Sequence, residues 1–497
     1  MGGPGGRSPH GKGCGGCAPR LASPTTIPNH ARQDRSIGLT PTSVVKFPTI
    51  KAMIRVLAIA FILLHVLSTV LPPNLAWGLS FFAHPDYLPG LLISALYLAL
   101  AVPPVTALFL SKIEGPLSAA MDFFRNRKFL FRLTLALISG SLFWLFRIRH
   151  LYWGDAKIFV EAIPHPDFRL TYNWQAPLDV FIHSKIWELA HKLWGWDVAT
   201  VYGVISVLSG VLFLQLLVNV AEELGRNRPE RLFLWALTAT GGFIQLFFGY
   251  IESYTIIPTG ILAYLWLGIR SIKGQTSLFW PILCLSLTNA FHPSTIVLWP
   301  SAFLLVKGRP RKEWLKFLAI PIVVALGVIA LMESGKHGID ALLGVDFPGG
   351  ADRHWFVPLR HAGTEWEHYT MFSLGHLVDI VNEQLLVAPF GLILAILLWK
   401  EGFQKAGQED KKPFIFLTLA SAFYLLFIWT WNPDYGGRKD WDLFACVGIP
   451  LNLLAAFTAA RAWSKEELKE NGLLLVLASL IHTAFWVNFN FNPPKLQ

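Results

Sequence analysis

Charge is scarce in this chain. Asp, Glu, Lys and Arg make up 15% of its 497 residues, against 53% apolar and aromatic types. That balance excludes a large soluble helical enzyme, whose helices would carry a polar face opposite each apolar stripe. The run "VYGVISVLSGVLFLQLLVNV" is instead apolar on every side. Cysteine is also rare. Of the four present, Cys284 and Cys446 fall inside apolar runs, which excludes a disulfide framework. No apolar core follows the N-terminus until Ile54, so the opening segment is no signal peptide. There is no internal repeat and no Gly-rich nucleotide-binding loop.

What the chain has instead is apolar runs of membrane length. About thirteen can be marked out, each near the length that crosses a ~30 Å hydrocarbon core. They cover 52–72, 90–110, 129–149, 197–220, 232–250, 254–270, 277–291, 293–306, 315–332, 385–399, 413–430, 441–460 and 472–489. The expected fold is therefore all-α, a polytopic membrane protein. An N-terminus in the cytoplasm puts Arg125, Arg127 and Lys128 inside, with Arg226, Arg228 and Arg231. Lys307, Arg309, Arg311, Lys312, Lys400, Lys405, Lys411, Lys412, Arg461 and Lys465 fall on the same side, as the positive-inside rule asks. The longest loops, 150–196 and 333–384, then lie outside together with the C-terminus. The net charge of +10 is largely this inner rim, so it does not imply a nucleic-acid partner.

Residues 1–48 differ from the rest. Rich in Gly, Pro, Ser and Arg and without apolar periodicity, they are expected to form a disordered cytoplasmic tail before a transmembrane domain over 49–497. Cys14 and Cys17 with His10 would be two close metal ligands and a third, but a lone CxxC lacks a second ligand pair.

The outer loops carry the chemistry. "WGDAKIF" (153–159) delivers Asp155 to the end of an apolar run, with Trp153 as a depth anchor at the interface and Gly154 leaving room beside the carboxylate. Ile182, Ile186, Leu189 and Leu193 then follow at helical spacing, an amphipathic helix lying in the interface and ended by Trp194 and Trp196. Glu252 stands at a junction with almost no loop, where a carboxylate near hydrocarbon must face a cavity or a partner. His292 sits at another outer junction, and "WNPDYGGRKDWDLF" adds Asp434, Arg438, Lys439, Asp440 and Asp442. The Arg438-Lys439 pair breaks the charge rule. Flanked by Gly436 and Gly437, it suits a lipid phosphate; an internal ion pair with Asp440 or Asp442 is the structural alternative. In the second loop His354, His361 and His368 show no tight zinc spacing, and the Trp, His and acidic residues there suit sugar and acceptor contacts.

An N-in polytopic chain whose first large outer loop opens on an acid and continues through an interfacial helix resembles the GT-C superfamily of membrane glycosyltransferases. "GD" at Gly154-Asp155 and "APLDVFIH" at Ala176 to His183 are similar to the opening loop of its protein O-mannosyl and aminoarabinose transferase branches. The resemblance implies transfer of a sugar, with inversion, from a polyprenyl- or dolichyl-phosphate donor to a glycan, lipid or protein acceptor on the outer or lumenal face. It implies Asp155 as general base with Glu252 as second catalytic acid, and Arg438 and Lys439 on the donor phosphate. Asp179, Tyr254, His292 and Asp440 are the expected substrate contacts. The family's paired acids are here Gly154-Asp155-Ala156, so the second acid must come from elsewhere. A lone Asp is a poor Mg²⁺ or Mn²⁺ site, so no cofactor is expected, with a divalent ion as the open alternative. The chain ends at Gln497, eight residues past the last run, so substrate binding is expected to fall to the loops, especially 333–384. That and the lone Asp point to a prokaryotic plasma membrane. Two other classes fit part of this pattern: a secondary transporter, which usually shows related halves and broken helices that the sequence does not announce, and a surface-glycan polymerase or ligase of another membrane fold.

Overall fold

The computed structural model describes residues 50–83, 86–165, 169–344 and 354–493, all within the compact unit Pro48–Gln497. The expected tail over 1–48, the Cys14/Cys17 reading, 345–353 of the second loop and the last four residues lie outside the described residues. Among the described residues the structure is helical, with one isolated bridge between Phe356 and Trp431 and no strand.

Among the described residues six helices are long and apolar enough to cross a membrane: Lys128–Leu145, Val198–Leu224, Arg311–Ser334, Gln408–Thr430, Trp441–Ala462 and Lys465–Phe491. Two bent pairs raise the number to eight, and four shorter apolar helices accompany them. The chain is a multi-pass integral membrane protein. Burial sorts the spans. Lys128–Leu145 and Arg311–Ser334 are 11% buried and present their Leu and Ile residues outward, whereas Trp441–Ala462 is 94% buried at the centre. Its "LAAFTAARA" end explains this, because small side chains let helices approach closely. Gly391–Lys405 packs along it, with Gly402 so near the Thr458 carbonyl that a β-carbon there would sit 2.8 Å from it.

Three of the expected runs are broken within their length. The run at 90–110 is two helices, Tyr87–Leu100 and Pro103–Arg125, bent by 91°. Val102 precedes Pro103, which forces it to extended dihedrals and stops the helix. The run at 385–399 breaks in the same way: Ala388 precedes Pro389, and Leu374–Val387 meets Gly391–Lys405 at 82°. The run at 232–250 is a 12-residue helix, Arg228–Ala239, followed by a 3₁₀ segment, Gly242–Phe247.

Charged loop residues gather into two groups. Arg461 donates to Asp410 at 2.8 Å and to Glu230 at 2.6 Å, and Arg226 reaches Asp410 at 2.5 Å. Lys405 donates to the Ala462 carbonyl and Lys273 pairs with Glu223 at 2.9 Å. These contacts join the Lys/Arg-rich loops at one end of the bundle. The loops carrying Asp155, Glu252, His354 and Arg438 meet one another elsewhere, as described next.

Candidate functional site

The turn at Trp153-Gly154-Asp155 opens the seven-residue helix Ala156–Ala162. It is pinned to the Glu252 junction by the Ile148 amide, which donates to the Phe248 carbonyl at 2.8 Å. Asp155 occupies the N-cap position, where an Asp commonly bonds the first free amides. Its side chain makes no such bond. The carboxylate is turned instead toward Tyr435, whose phenol donates to Asp155 Oδ1 at 3.0 Å. The Asp155 amide donates to Glu252 Oε1. Gly154 is left-handed at φ +47°, and a β-carbon there would lie 3.2 Å from Asp442 Oδ2 and run into the Glu252 carboxylate. Three acids therefore converge on one glycine.

A fourth follows. The Tyr435 amide donates to Asp440 Oδ2 at 2.6 Å, and the Tyr250 phenol donates to Asp442 Oδ2 at 3.0 Å. Glu252, Asp440 and Asp442 are 2%, 7% and 1% exposed, whereas Asp155 is half-buried. Asp155 is thus the least buried of the four. Burial, and then the neighbouring Asp442 and Asp155 carboxylates, hold the Glu252 carboxyl well above its ordinary pKa. Burial, followed by Asp442, does the same to Asp440. Two roles are thus separated by environment: an accessible carboxylate beside buried acids that favour their protonated form.

Tyr254 borders the same group. Burial, then Asp442, Glu252, Asp440 and Asp155, raises its phenol. Its ring stands 4.9 Å from His292. His292 itself breaks the chain between Phe279–Phe291 and Pro293–Leu298, and its Nδ1 accepts from the Ser294 amide at 3.1 Å. Asp179 is not brought to the cluster. It is fully buried, 3.1 Å from His183 Nδ1, and His183 stacks on Tyr202 at 3.9 Å beneath the short helix. The helix Pro177–Trp194 otherwise turns Ile186, Leu189, Leu193 and Trp194 outward and Asp179, Val180, His183 and Ala190 inward. Trp153 is not an interface anchor. It is 3% exposed, its indole donating to Asn490 Oδ1 at 2.6 Å on the last helix.

Arg438 is half-buried and lines a crevice with Trp77, Phe81, Trp153, Trp486 and Phe489. Among the described residues neither Arg438 nor Lys439 forms an ion pair with a carboxylate, so the alternative pairing with Asp440 or Asp442 is not formed. Lys439 is exposed, with its ammonium 5.9 Å from the Tyr152 ring centre. The second loop braces this segment. Asn432 Nδ2 donates to the Trp366 carbonyl at 3.0 Å, and His368 Nε2 donates to the Asp434 carbonyl at 2.9 Å. His354 is engaged by Glu367 at 2.5 Å. Among the described residues no group of three or more His, Cys, Asp or Glu side chains is arranged to hold a metal ion.

Asp442 was named at its junction but given no role, and Tyr250 and Tyr435 were not singled out from the sequence. A signal for the first exists: Asp440-Trp441-Asp442 is itself a spaced acid pair. The tyrosines carry no pattern that separates a site residue from an interface anchor.

No protein-family model matches the chain, and no curated protein matches it. Two solved structures are similar to it, both of ArnT from Cupriavidus metallidurans. The apo state shares 10% identity over 74% of this chain and 78% of that one, with a TM-score of 0.47. The form bound to undecaprenyl phosphate shares 9% identity over 73% and 77%, with a TM-score of 0.46.

Proposed function

We propose that this protein transfers a sugar from a polyprenyl-phosphate donor to an acceptor hydroxyl, at the face of the membrane opposite its Lys/Arg-rich loops. The observation that carries the reading is an accessible carboxylate, Asp155, beside a loop whose Arg438 has no carboxylate partner among the described residues and lines an aromatic crevice. The acceptor O–H gives its proton to Asp155 as its oxygen attacks the anomeric carbon from the side away from the phosphate. The bond from that carbon to the phosphate oxygen breaks, the configuration inverts, and the leaving phosphate gains charge. Arg438 and Lys439 supply the cations for that charge. Glu252, Asp440 and Asp442 shape the site, and Tyr254 and His292 line its approach. The transfer needs no metal in this scheme.

The test is a panel of polyprenyl-phosphate hexoses, labelled in the sugar, given to the purified protein with membrane-lipid and glycan acceptors. Labelled covalent product supports the proposal, and Arg438→Gln should raise the donor concentration needed while the protein purifies normally. A second reading, secondary transport, is favoured by the two proline-broken helix pairs. Uptake of labelled solute into proteoliposomes without any covalent product would establish it in place of transfer.

A further inference from the structure

Asp155 lies on the first long loop and Arg438 on the segment before Trp441–Ala462, nearly three hundred positions later in the chain. One residue touches both sides of that gap. The Tyr435 phenol donates to Asp155 Oδ1 at 3.0 Å, its own amide donates to Asp440 Oδ2 at 2.6 Å, and the Lys439 amide closes a turn onto Gly436 at 3.0 Å. The base and the cation segment are therefore joined through a single side chain and a five-residue turn.

The joint is braced from behind. His368 holds the Asp434 carbonyl and Asn432 holds two carbonyls of the second loop, at 3.3 and 3.0 Å. Trp77 donates to Asp379 at 2.8 Å, and Asp379 lies against Gly437. A phenol on so anchored a backbone fixes the rotamer of the carboxylate it meets. It also stabilises the ionised form of that carboxylate, in surroundings where Glu252, Asp440 and Asp442 oppose a further negative charge.

We infer that Tyr435 is the positioning residue for Asp155: its phenol orients and sustains the anionic base and sets it at a fixed distance from the Arg438 segment. The inference rests on the proposed sugar transfer. Its consequence for pH has a definite sign. A donor to the anion keeps Asp155 ionised at lower pH, so removing the donor moves the acid limb of the rate profile upward. Among the described residues the titratable groups set against Asp155 include Glu252 and Tyr254 from the Glu252 junction and Asp440 and Asp442 from the segment after Gly437, none of which the variant replaces.

The experiment compares wild type with Tyr435→Phe. Turnover is followed against pH, with the donor KM and melting temperatures across a cycle of Tyr435→Phe, Asp155→Ala and the double variant. The expected result is an acid limb raised by about one pH unit, an unchanged donor KM, and a melting penalty for Tyr435→Phe that shrinks when Asp155 is already Ala. An unmoved acid limb, or a melting penalty equal in both backgrounds, overturns the inference. Tyr435 replaced by 3-fluorotyrosine, a stronger donor of the same shape, covers the case in which the Phe variant does not purify. There the limb must move down, and a limb that stays overturns the inference as well. A wild type that makes no product sinks the transfer reading and this role with it, while the melting cycle separately reports whether the two side chains are coupled.

Discussion

Gly154 is the point at which the backbone and the acid cluster constrain one another, and Gly154→Ala tests that constraint. The residue is left-handed at φ +47°, a conformation that costs an L side chain about 1–2 kcal/mol. Gly195, which ends the helix Pro177–Trp194, is left-handed as well at φ +69°, but nothing lies within 4 Å of where its β-carbon would stand. Gly195→Ala therefore carries the backbone cost alone. At Gly154 the added carbon would sit 3.1 Å from Glu252 Cδ and 3.2 Å from Asp442 Oδ2, so the turn or the Glu252 carboxylate must move. The Asp155 amide bonds that same carboxylate, and the displacement passes to the base. A shift of about 1 Å at a reacting group costs roughly 10²-fold in rate. Both variants should melt lower than wild type, Gly154→Ala by more because it adds the contact with Glu252 to the backbone cost, and Gly154→Ala should lose about a hundredfold in turnover where Gly195→Ala loses almost none. Transfer and melting measured on the same detergent preparations give the comparison. Normal transfer by Gly154→Ala, or an equal loss in both, would refute the reasoning.

Asp155→Asn should cut turnover by roughly 10²–10⁴ with little change in donor KM, since the shape is kept and the proton acceptor is lost; near-normal transfer would remove Asp155 from the role of base. For Glu252 the sign runs the other way from a salt-bridged acid. Its folded pKa is raised above the unfolded value, so its contribution is fully present below the ordinary carboxylate range and is lost as pH rises through the raised value. Wild type should thus lose melting temperature on going from acid toward neutral and alkaline pH, Glu252→Gln should flatten that slope, and identical slopes would mean the group is not buried as protonated acid. Arg461→Met leaves Asp410 and Glu230 buried beside each other without their shared cation and should cost about 3–5 kcal/mol, read as a lower melting temperature and poorer yield; a neutral result would mean Arg226 alone holds Asp410.

Much of the fold was legible because hydrocarbon permits few alternatives. Backbone groups in lipid must be paired within the chain, so apolar runs become helices and the all-α architecture follows. What the runs did not reveal is where they bend. Val102 and Ala388 each precede a proline, and that local signal was outweighed by the apolar composition on both sides. Likewise Trp153 reads as an interface anchor by residue type, yet its indole is taken by Asn490 from the other end of the sequence, a pairing with no trace in either neighbourhood.

The site divides along the same line. Acids near hydrocarbon are expensive wherever they stand, so Asp155, Glu252 and Asp440 stood out without any structure, and all three meet around Gly154 and Tyr435. Asp179, expected as a substrate contact from the resemblance at Ala176 to His183, lies against His183 instead of beside Asp155. The difference lies in the partner. At the Lys/Arg-rich end the buried acids are given cations: Asp410 and Glu230 share Arg461, Glu313 pairs with Lys316, and the charges close on themselves. Around Asp155 the chain sets four acids together, and the contacts they make include phenols and amides, which orient an anion without neutralising it. Arg438 and Lys439 lie within a few residues of two of these acids and ion-pair with no carboxylate among the described residues. Acids and cations this close would pair if folding stability alone set the arrangement. Keeping them apart leaves the cations for an anion and the half-buried Asp155 for a proton, the division of charge that the proposed transfer from a phosphate to a hydroxyl would use.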